Sequence, residues 1–212
     1  MAPESATHER IYRAIKDAIL AGEFEPGRRI DIQQIADARG ASPTPVREAL
    51  YRLIGEGAME SRPDGGFHLA VPDFHGLISL YVWSGQQLLA ALHLSSAQAV
   101  RQAMMAKRDM RIGKEAGEIA AAVNATFEAI ACASGNPEFV VAVQRANLRL
   151  QFARLAESRL FSDLDRELRT FFRNGVIDVK TNVRRRVIAY HRRRVEHAAQ
   201  LYVQVKQQQI TY

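Results

Sequence analysis

Between Gly40 and Gly57 the chain reads GASPTPVREALYRLIGEG, and Thr44, Arg47, Glu48 and Tyr51 recur there at i, i+3, i+4 and i+7. That spacing stacks their side chains on one face of a helix. Val46, Ala49, Leu50 and Leu53 repeat the same spacing on the opposite face, which gives the helix a side to bury. Ser42 suits the N-cap and Pro43 the first helical position; Pro45 falls in the first turn, whose N–H groups lack helical partners. A short helix that buries one face and shows Thr and Arg on the other fits a DNA major groove. There an Arg fork matches guanine O6 and N7. An ordinary amphipathic surface helix has the same periodicity, so the neighbouring elements decide.

Upstream, Ile11, Ile15 and Ile19 mark a one-sided helix over Glu9–Ala21, which Gly22 ends before a Glu25-Pro26-Gly27 turn. Asp31 is placed to cap a second helix, Ile32–Ala38, with Ile32 and Ile35 inward and Gln33 and Gln34 outward. Gly40 is the expected C′ residue. Downstream, Ala58–Arg62 and Phe67–Val71 predict two short strands joined by Pro63-Asp64-Gly65-Gly66, which has hairpin-loop chemistry. Three helices and a hairpin in this order predict a winged helix-turn-helix. Expected DNA contacts are Gln33, Gln34, Ser42, Thr44, Arg47, Tyr51 and Arg52, with Arg62, Gly65, Gly66 and His68 in the wing. Glu48 is expected to brace the helix through Arg52 at i+4, and His68 is read equally well as a solvent-exposed strand residue.

Residues 9–72 resemble the DNA-binding domain of GntR-type bacterial transcription regulators. The resemblance rests on Ile19–Gly22, Pro26-Gly27, Ile35-Ala36 and Leu53, on Glu56-Gly57 and the glycine-bearing wing, and above all on Ser42-x-Thr44-Pro45-Val46-Arg47-Glu48-Ala49-Leu50. The family often places a base-contacting Arg where this chain has Pro43. That departure removes one side-chain donor from the usual operator readout.

The 212 residues leave about 140 beyond the wing, enough for a second core. A composition of 47% hydrophobic and 25% charged residues is that of a globular protein. The net charge of +6 suits a polyanionic partner. Cys132 is the only cysteine, which excludes an intramolecular disulfide and a multi-cysteine zinc site, and its helical setting predicts a small core residue. The N-terminus has no apolar run of a secretion signal, and no stretch is long and apolar enough to span a bilayer. The expectation is a cytoplasmic, nucleoid-associated protein with no membrane partner.

Beyond Pro72-Asp73 helical patterns take over: one from Leu77, then Ala97–Arg108, Lys114–Ala133, Glu138–Leu160, Asp163–Arg173 and about Asp178–Lys206. The fold class is therefore mainly α: a winged helix-turn-helix over 1–72 with its small β-hairpin, and an all-α bundle over 76–212. This half is similar to the FCD ligand-binding domain of FadR-like GntR regulators. It shares the helix count, the position after the wing, and Phe127-x-x-Ile130 followed by Ser134-Gly135-Asn136-Pro137. The resemblance implies dimerisation and a small effector, often a carboxylate, and often a divalent metal held by one Asp and three His. That metal set falls on Asn124, Glu128 and His191, with no His in Asp165–Arg169, and Ser84 stands where a pocket Arg is usual. No cofactor is expected, and Asn124, Glu128 and His191 remain weak metal candidates beside a reading of His191 as a hydrogen-bonded semi-core residue.

Expected effector contacts are Tyr81, Trp83, Asn124, Phe127, Glu128, Arg149 and His191, although a surface salt bridge is the plainer role for Arg149. Arg184-Arg185-Arg186 and Arg192-Arg193-Arg194 read first as a solvated face, with phosphate or an anionic effector as alternatives. The implied function is a homodimeric regulator, expected to be a repressor, that binds a palindromic DNA operator and responds to a small organic effector, organic acids included. A helical half that only dimerises, or that senses a divalent metal, is the alternative. An enzyme is not expected: no nucleophile–base pair, phosphate-binding glycine loop or His-Glu-x-x-His is present.

Overall fold

The computed structural model describes residues 3–63, 65–173 and 178–210. Asp64 of the expected wing loop and Gly175 lie outside them. The described chain forms two compact units, residues 3–71 with 207–210 and residues 72–206.

In the first unit, α1 (Pro3–Ala21) starts six residues before the expected Glu9, since no Gly or Pro interrupts Glu4–His8. It buries Ile11, Tyr12, Ile15, Ala18 and Ile19. α2 (Ile32–Arg39) is capped as expected: Asp31 Oδ1 accepts from Gln34 N at 3.0 Å, and Gly40 takes the left-handed conformation at φ 59°. α3 (Pro43–Gly55) packs on both helices through Val46, Ala49, Leu50 and Leu53. Ser42 is its N-cap in conformation, but its hydroxyl makes no capping bond. The usual target is the third helical N–H, and Pro45 holds that position without one.

β1 (Met59–Ser61) and β2 (Phe67–Leu69) pair antiparallel, with Glu60 opposite His68. Both are shorter than expected. Ile30 N donates to Phe67 O at 2.8 Å, so the segment after α1 lies along β2.

The second unit is all helical: α4 (Phe74–Leu94), α5 (Ala97–Ala106), α6 (Ala116–Cys132), α7 (Pro137–Leu160), α8 (Leu164–Arg169), α9 (Val179–Glu196) and, up to Lys206, α10 (Ala198–Ile210). α4 packs against α6, α7 and α9, and α6 packs against α7. Local signals set many of the ends. Asp73 accepts from Gly76 N at 2.7 Å, Glu115 and Glu118 form a capping box, and Asn136 accepts from Glu138 N after Gly135 at φ 70°. The expected single terminal helix is broken at His197, whose φ is −106° and ψ 19°. There the His197 Nδ1–H donates to Arg193 O at 2.9 Å while the ring packs edge-on against Phe161. Cys132 is exposed at the end of α6 rather than buried, because its neighbours Ile130 and Ala131 take the inner face.

The arginine runs on α9 divide. Arg184, Arg185, Arg186 and Arg192 are exposed, and Arg193 bonds Asp163 at 2.6 Å. Arg194 is fully buried, correcting the solvated-face reading at that position. Val187, Tyr190, His191 and Arg194 share one helical face, so the face that seals the core carries Arg194 inward. Its guanidinium lies 3.4 Å from the Tyr190 ring centroid and reaches Glu157 at 2.8 Å and Glu167 at 2.7 Å. Removing one member of a buried ion pair costs about 3–5 kcal/mol. Arg194→Ala should lower urea-unfolding stability by about that much, and Glu157→Gln/Arg194→Met by less. A single-variant midpoint equal to the parent's would show that the pair is not structural.

Candidate nucleic-acid interface and buried polar centre

The inward stripe of α3 leaves Thr44, Arg47, Glu48 and Tyr51 exposed. Arg47 has no ion-pair partner among the described residues. It lines an open groove of about 980 Å³ with Gln33, Gln34, Arg28, Arg29, Arg39 and Gly66. Expected contacts from α2, α3 and the wing therefore share one concavity, whose lining also holds Glu23, Glu25 and Asp31, with Arg28 paired to Glu25. Arg28, Arg29 and Arg39 were not anticipated, although an arginine pair just after the Pro26-Gly27 turn was a readable sign. Gly66 has φ 111°, and a Cβ there would stand 2.5 Å from Arg29 Nε, so glycine is what lets Arg29 lie over the wing. Tyr51 is 62% exposed yet sets its ring edge-on against Phe67, 5.1 Å between centroids.

Other expected contacts are held elsewhere. Arg52 lies 3.5 Å over the Tyr12 ring and bonds Glu9 at 2.8 Å, so its guanidinium ties α3 to α1 rather than facing outward beside Arg47. That pairing holds the Glu9 carboxyl below the usual carboxylate range, with Arg13 adding to it. Glu48 does not brace Arg52; it meets His8 Nδ1 at 2.9 Å. His68 is buried, because the segment over Gly27–Ile30 covers β2, and its Nδ1–H donates to Gly27 O at 3.3 Å. Neither the solvent-facing nor the DNA-facing reading of His68 survives. Arg62 is half-exposed and paired with Glu60 at 2.9 Å. Gly65 and Ser42 are exposed, and Gln33 bonds Asp37 at 2.8 Å.

In the helical unit, Asn124, Phe127 and His191 meet in the interior. Phe127 stacks on His191 at 5.4 Å, and Tyr81 is buried with its hydroxyl donating to Glu157 at 2.7 Å. Burial and the Glu157 charge push the Tyr81 hydroxyl pKa up. Trp83 is a correction: it is 57% exposed, one residue before Ser84 and therefore turned off the inward face of α4. Glu128 is half-buried and accepts from Asn147 at 3.3 Å. Arg149 is half-buried and makes no ion pair among the described residues, contrary to its expected surface salt bridge.

Sequence reading missed Asn147, Gln151 and Arg154, a polar stripe at i, i+4 and i+7 on α7 that was visible in the sequence. Asn124 Nδ2 donates to Gln151 Oε1 at 3.1 Å, and Arg154 Nη1 donates to the side-chain oxygens of Asn124 and Asn147.

The residues matching the family's metal set do not fit a metal. Asn124 spends its oxygen on Arg154. His191 uses both ring nitrogens, Nδ1 with Val187 O at 2.8 Å and Nε2 with Ser84 Oγ at 3.2 Å. Among the described residues no group of three or more His, Cys, Asp or Glu is placed to hold an ion.

Burial pushes the His191 pKa down to about 3, and the nearby Arg154 and Arg194 charges add to this. An unfolded histidine titrates near 6.5, so the unfolded state takes up the proton first. The neutral ring therefore contributes stability above about pH 6.5 that is lost as pH falls toward 3. His191→Met should flatten the decline in unfolding free energy between about pH 6.5 and 5, before carboxylates titrate. Parallel slopes for parent and variant would remove His191 from the acid response.

Residues 7–69 match the family model described as bacterial regulatory proteins, gntR family. The Nta operon transcriptional regulator of Aminobacter aminovorans is 31% identical over 137 residues, 62% of this chain and 65% of that protein. An uncharacterized HTH-type transcriptional regulator, YdhC of Bacillus subtilis, is 35% identical over 60 residues, 28% of this chain and 27% of its own. The chain thus spans less than two thirds of the length of either relative. Among solved structures, a GntR protein from Rhodococcus sp. RHA1 superposes with TM-score 0.72 at 18% identity, covering 92% of this chain and 97% of that one. E. coli McbR/YncC superposes with TM-score 0.68 at 18% identity, covering 95% and 100%. These two likenesses establish the fold. Over residues 7–69, where the motif from Ser42 to Leu50 forms α3 and its inward stripe, the chain is similar to the gntR family of bacterial regulatory proteins.

Proposed function

We propose that this protein is a sequence-specific DNA-binding transcription regulator that acts in the cytoplasm, as a homodimeric repressor on a palindromic operator. The observation that carries the reading is the exposed Thr44–Arg47–Tyr51 face of α3, backed by a completed apolar face, with Arg47 opening on the groove that the α2 glutamines line. The gntR match over the same residues supports it, as does the relative whose name makes it an operon regulator. Two copies related by a two-fold axis present two such helices, and a palindrome is the DNA counterpart of that symmetry. Phosphate contacts supply affinity, while Arg47, Thr44 and the α2 glutamines supply base preference. Residues 72–206 serve dimerisation and effector sensing in this reading. Their buried polar centre supports a small polar ligand.

Arg47→Ala leaves the inward face of α3 untouched, so helicity should be retained. Loss of a bidentate guanine contact should cost about 1–3 kcal/mol of discrimination per half-site. The measurement is competition between operator and scrambled duplex for parent and variant, and unchanged discrimination in a folded variant would end the assignment. Arg62→Ala, in the wing, should weaken binding to every duplex alike and reduce the salt slope by roughly one. A change in base preference at constant slope would contradict that role.

A further inference from the structure

The arginines around the reading face of α3 differ in what holds them. Arg28 bonds Glu25 at 3.0 Å, Arg39 lies 4.0 Å from Glu23, Arg62 is 2.9 Å from Glu60, and Arg52 is clamped to Glu9. Arg29 and Arg47 are exposed, and neither side chain has a hydrogen bond or ion pair among the described residues. Both line the same groove, Arg47 from α3 and Arg29 from the segment before α2. An arginine already paired must release its carboxylate before it takes a phosphate. An unpaired one binds phosphate without that loss.

The position of Arg29 is also fixed. Its neighbour Ile30 is buried, and the Ile30 N–H donates to Phe67 O at 2.8 Å, which ties the segment to β2. From that anchor the Arg29 side chain crosses the wing at Gly66. A Cβ on Gly66 would stand 2.5 Å from Arg29 Nε and 3.0 Å from its Cγ and Cδ. The stem of Arg29 therefore rests on the wing backbone in the space that any other residue's side chain would fill.

We propose that Arg29 is the wing-side phosphate clamp of this DNA reader. Its guanidinium takes a backbone phosphate beside the bases that Arg47 reads, and Gly66 is the residue that lets it lie there. The segment Gly27–Ile30 thus joins the DNA interface from outside both the recognition helix and the hairpin. Such a contact sets the register of α3 on the duplex and carries no sequence preference of its own. The inference rests on the DNA-binding function proposed above.

The test is binding of operator and scrambled duplex by the full chain as a function of salt, for the parent, Arg29→Met, Arg29→Lys and Arg28→Met, with a thermal melt of each. Arg29→Met keeps an apolar stem over Gly66 and loses the charge. It should melt with the parent and bind both duplexes about tenfold more weakly per half-site near 0.1 M salt, with a salt slope flatter by about 0.9 per half-site. Arg29→Lys keeps a phosphate-binding charge and should keep the parental slope. Arg28→Met, which removes a side chain already spent on Glu25, should leave the slope close to the parent's.

A parental slope in folded Arg29→Met would overturn the clamp. An equal loss in Arg28→Met would overturn it too, since a diffuse positive field would then suffice. A slope in Arg29→Lys as flat as in Arg29→Met would reduce the residue to packing, and altered base preference in Arg29→Met would make it a reader of bases instead. A parent that binds no duplex would remove the DNA-binding function and the clamp together. A parent that discriminates its operator while Arg29→Met keeps the parental slope would remove the clamp alone.

Discussion

The burial of one stripe of α3, Val46, Ala49, Leu50 and Leu53, against α1 and α2 is the constraint on which the N-terminal unit depends. A helix of 13 residues is marginal alone, and tertiary packing of its apolar face supplies most of its stability. Once that face is committed, helical geometry leaves Thr44, Arg47 and Tyr51 no position but the surface. The remaining contacts fix how α3 is held. Arg52 clamps its C-terminal half to α1 through Tyr12 and Glu9, and Tyr51 leans on Phe67 at the base of the wing. The wing is fixed in turn by the Ile30–Phe67 backbone bond and by His68 on Gly27. An exposed reading face on a rigidly held helix meets the geometric demand of base recognition, which tolerates little rotation of the donor groups.

The helical unit meets a different constraint. Its interior holds full positive charges, and the low dielectric makes each one expensive unless it is answered. At Arg194 the answer is internal, in Glu157 and Glu167. At Arg154 it is only partly internal, given by amide oxygens that carry no charge. The Phe127 ring is 5.3 Å from the unanswered charge and 5.4 Å from His191, a ring that burial keeps neutral. The outcome is a polar centre ordered by its own hydrogen bonds on one side, with Arg154 Nε and Nη2 left without a hydrogen-bond partner among the described residues on the other.

Local signals in the sequence carried much of this architecture. The stripe of α3, the Asp31 cap, the Gly40 terminus and the Ser134–Pro137 break were legible because each depends on residues within a turn or two of one another. What was not legible depended on partners distant in sequence. Ser42 looked like a working cap until Pro45 was seen to remove its target N–H. His68 was read from its place beside the wing tip, which cannot register that residues 27–30 cover β2. Arg194 disappeared into a run of arginines, because composition favours a solvated face while the Val187–Tyr190–His191 register decides the matter. Arg154 was missed although Asn147, Gln151 and Arg154 repeat at helical spacing, since a polar stripe signals a buried network only when the facing helix supplies Asn124.

The most direct test of the account is selection of bound sequences from a pool of random duplexes by the full-length protein. If α3 reads bases from a two-fold dimer, the retained pool should converge on two inverted copies of a short motif at a fixed spacing, about one helical turn or a multiple of it between centres. Retention of the pool without convergence, at an affinity set by salt alone, would contradict sequence-specific recognition and leave only a basic surface that attracts phosphate.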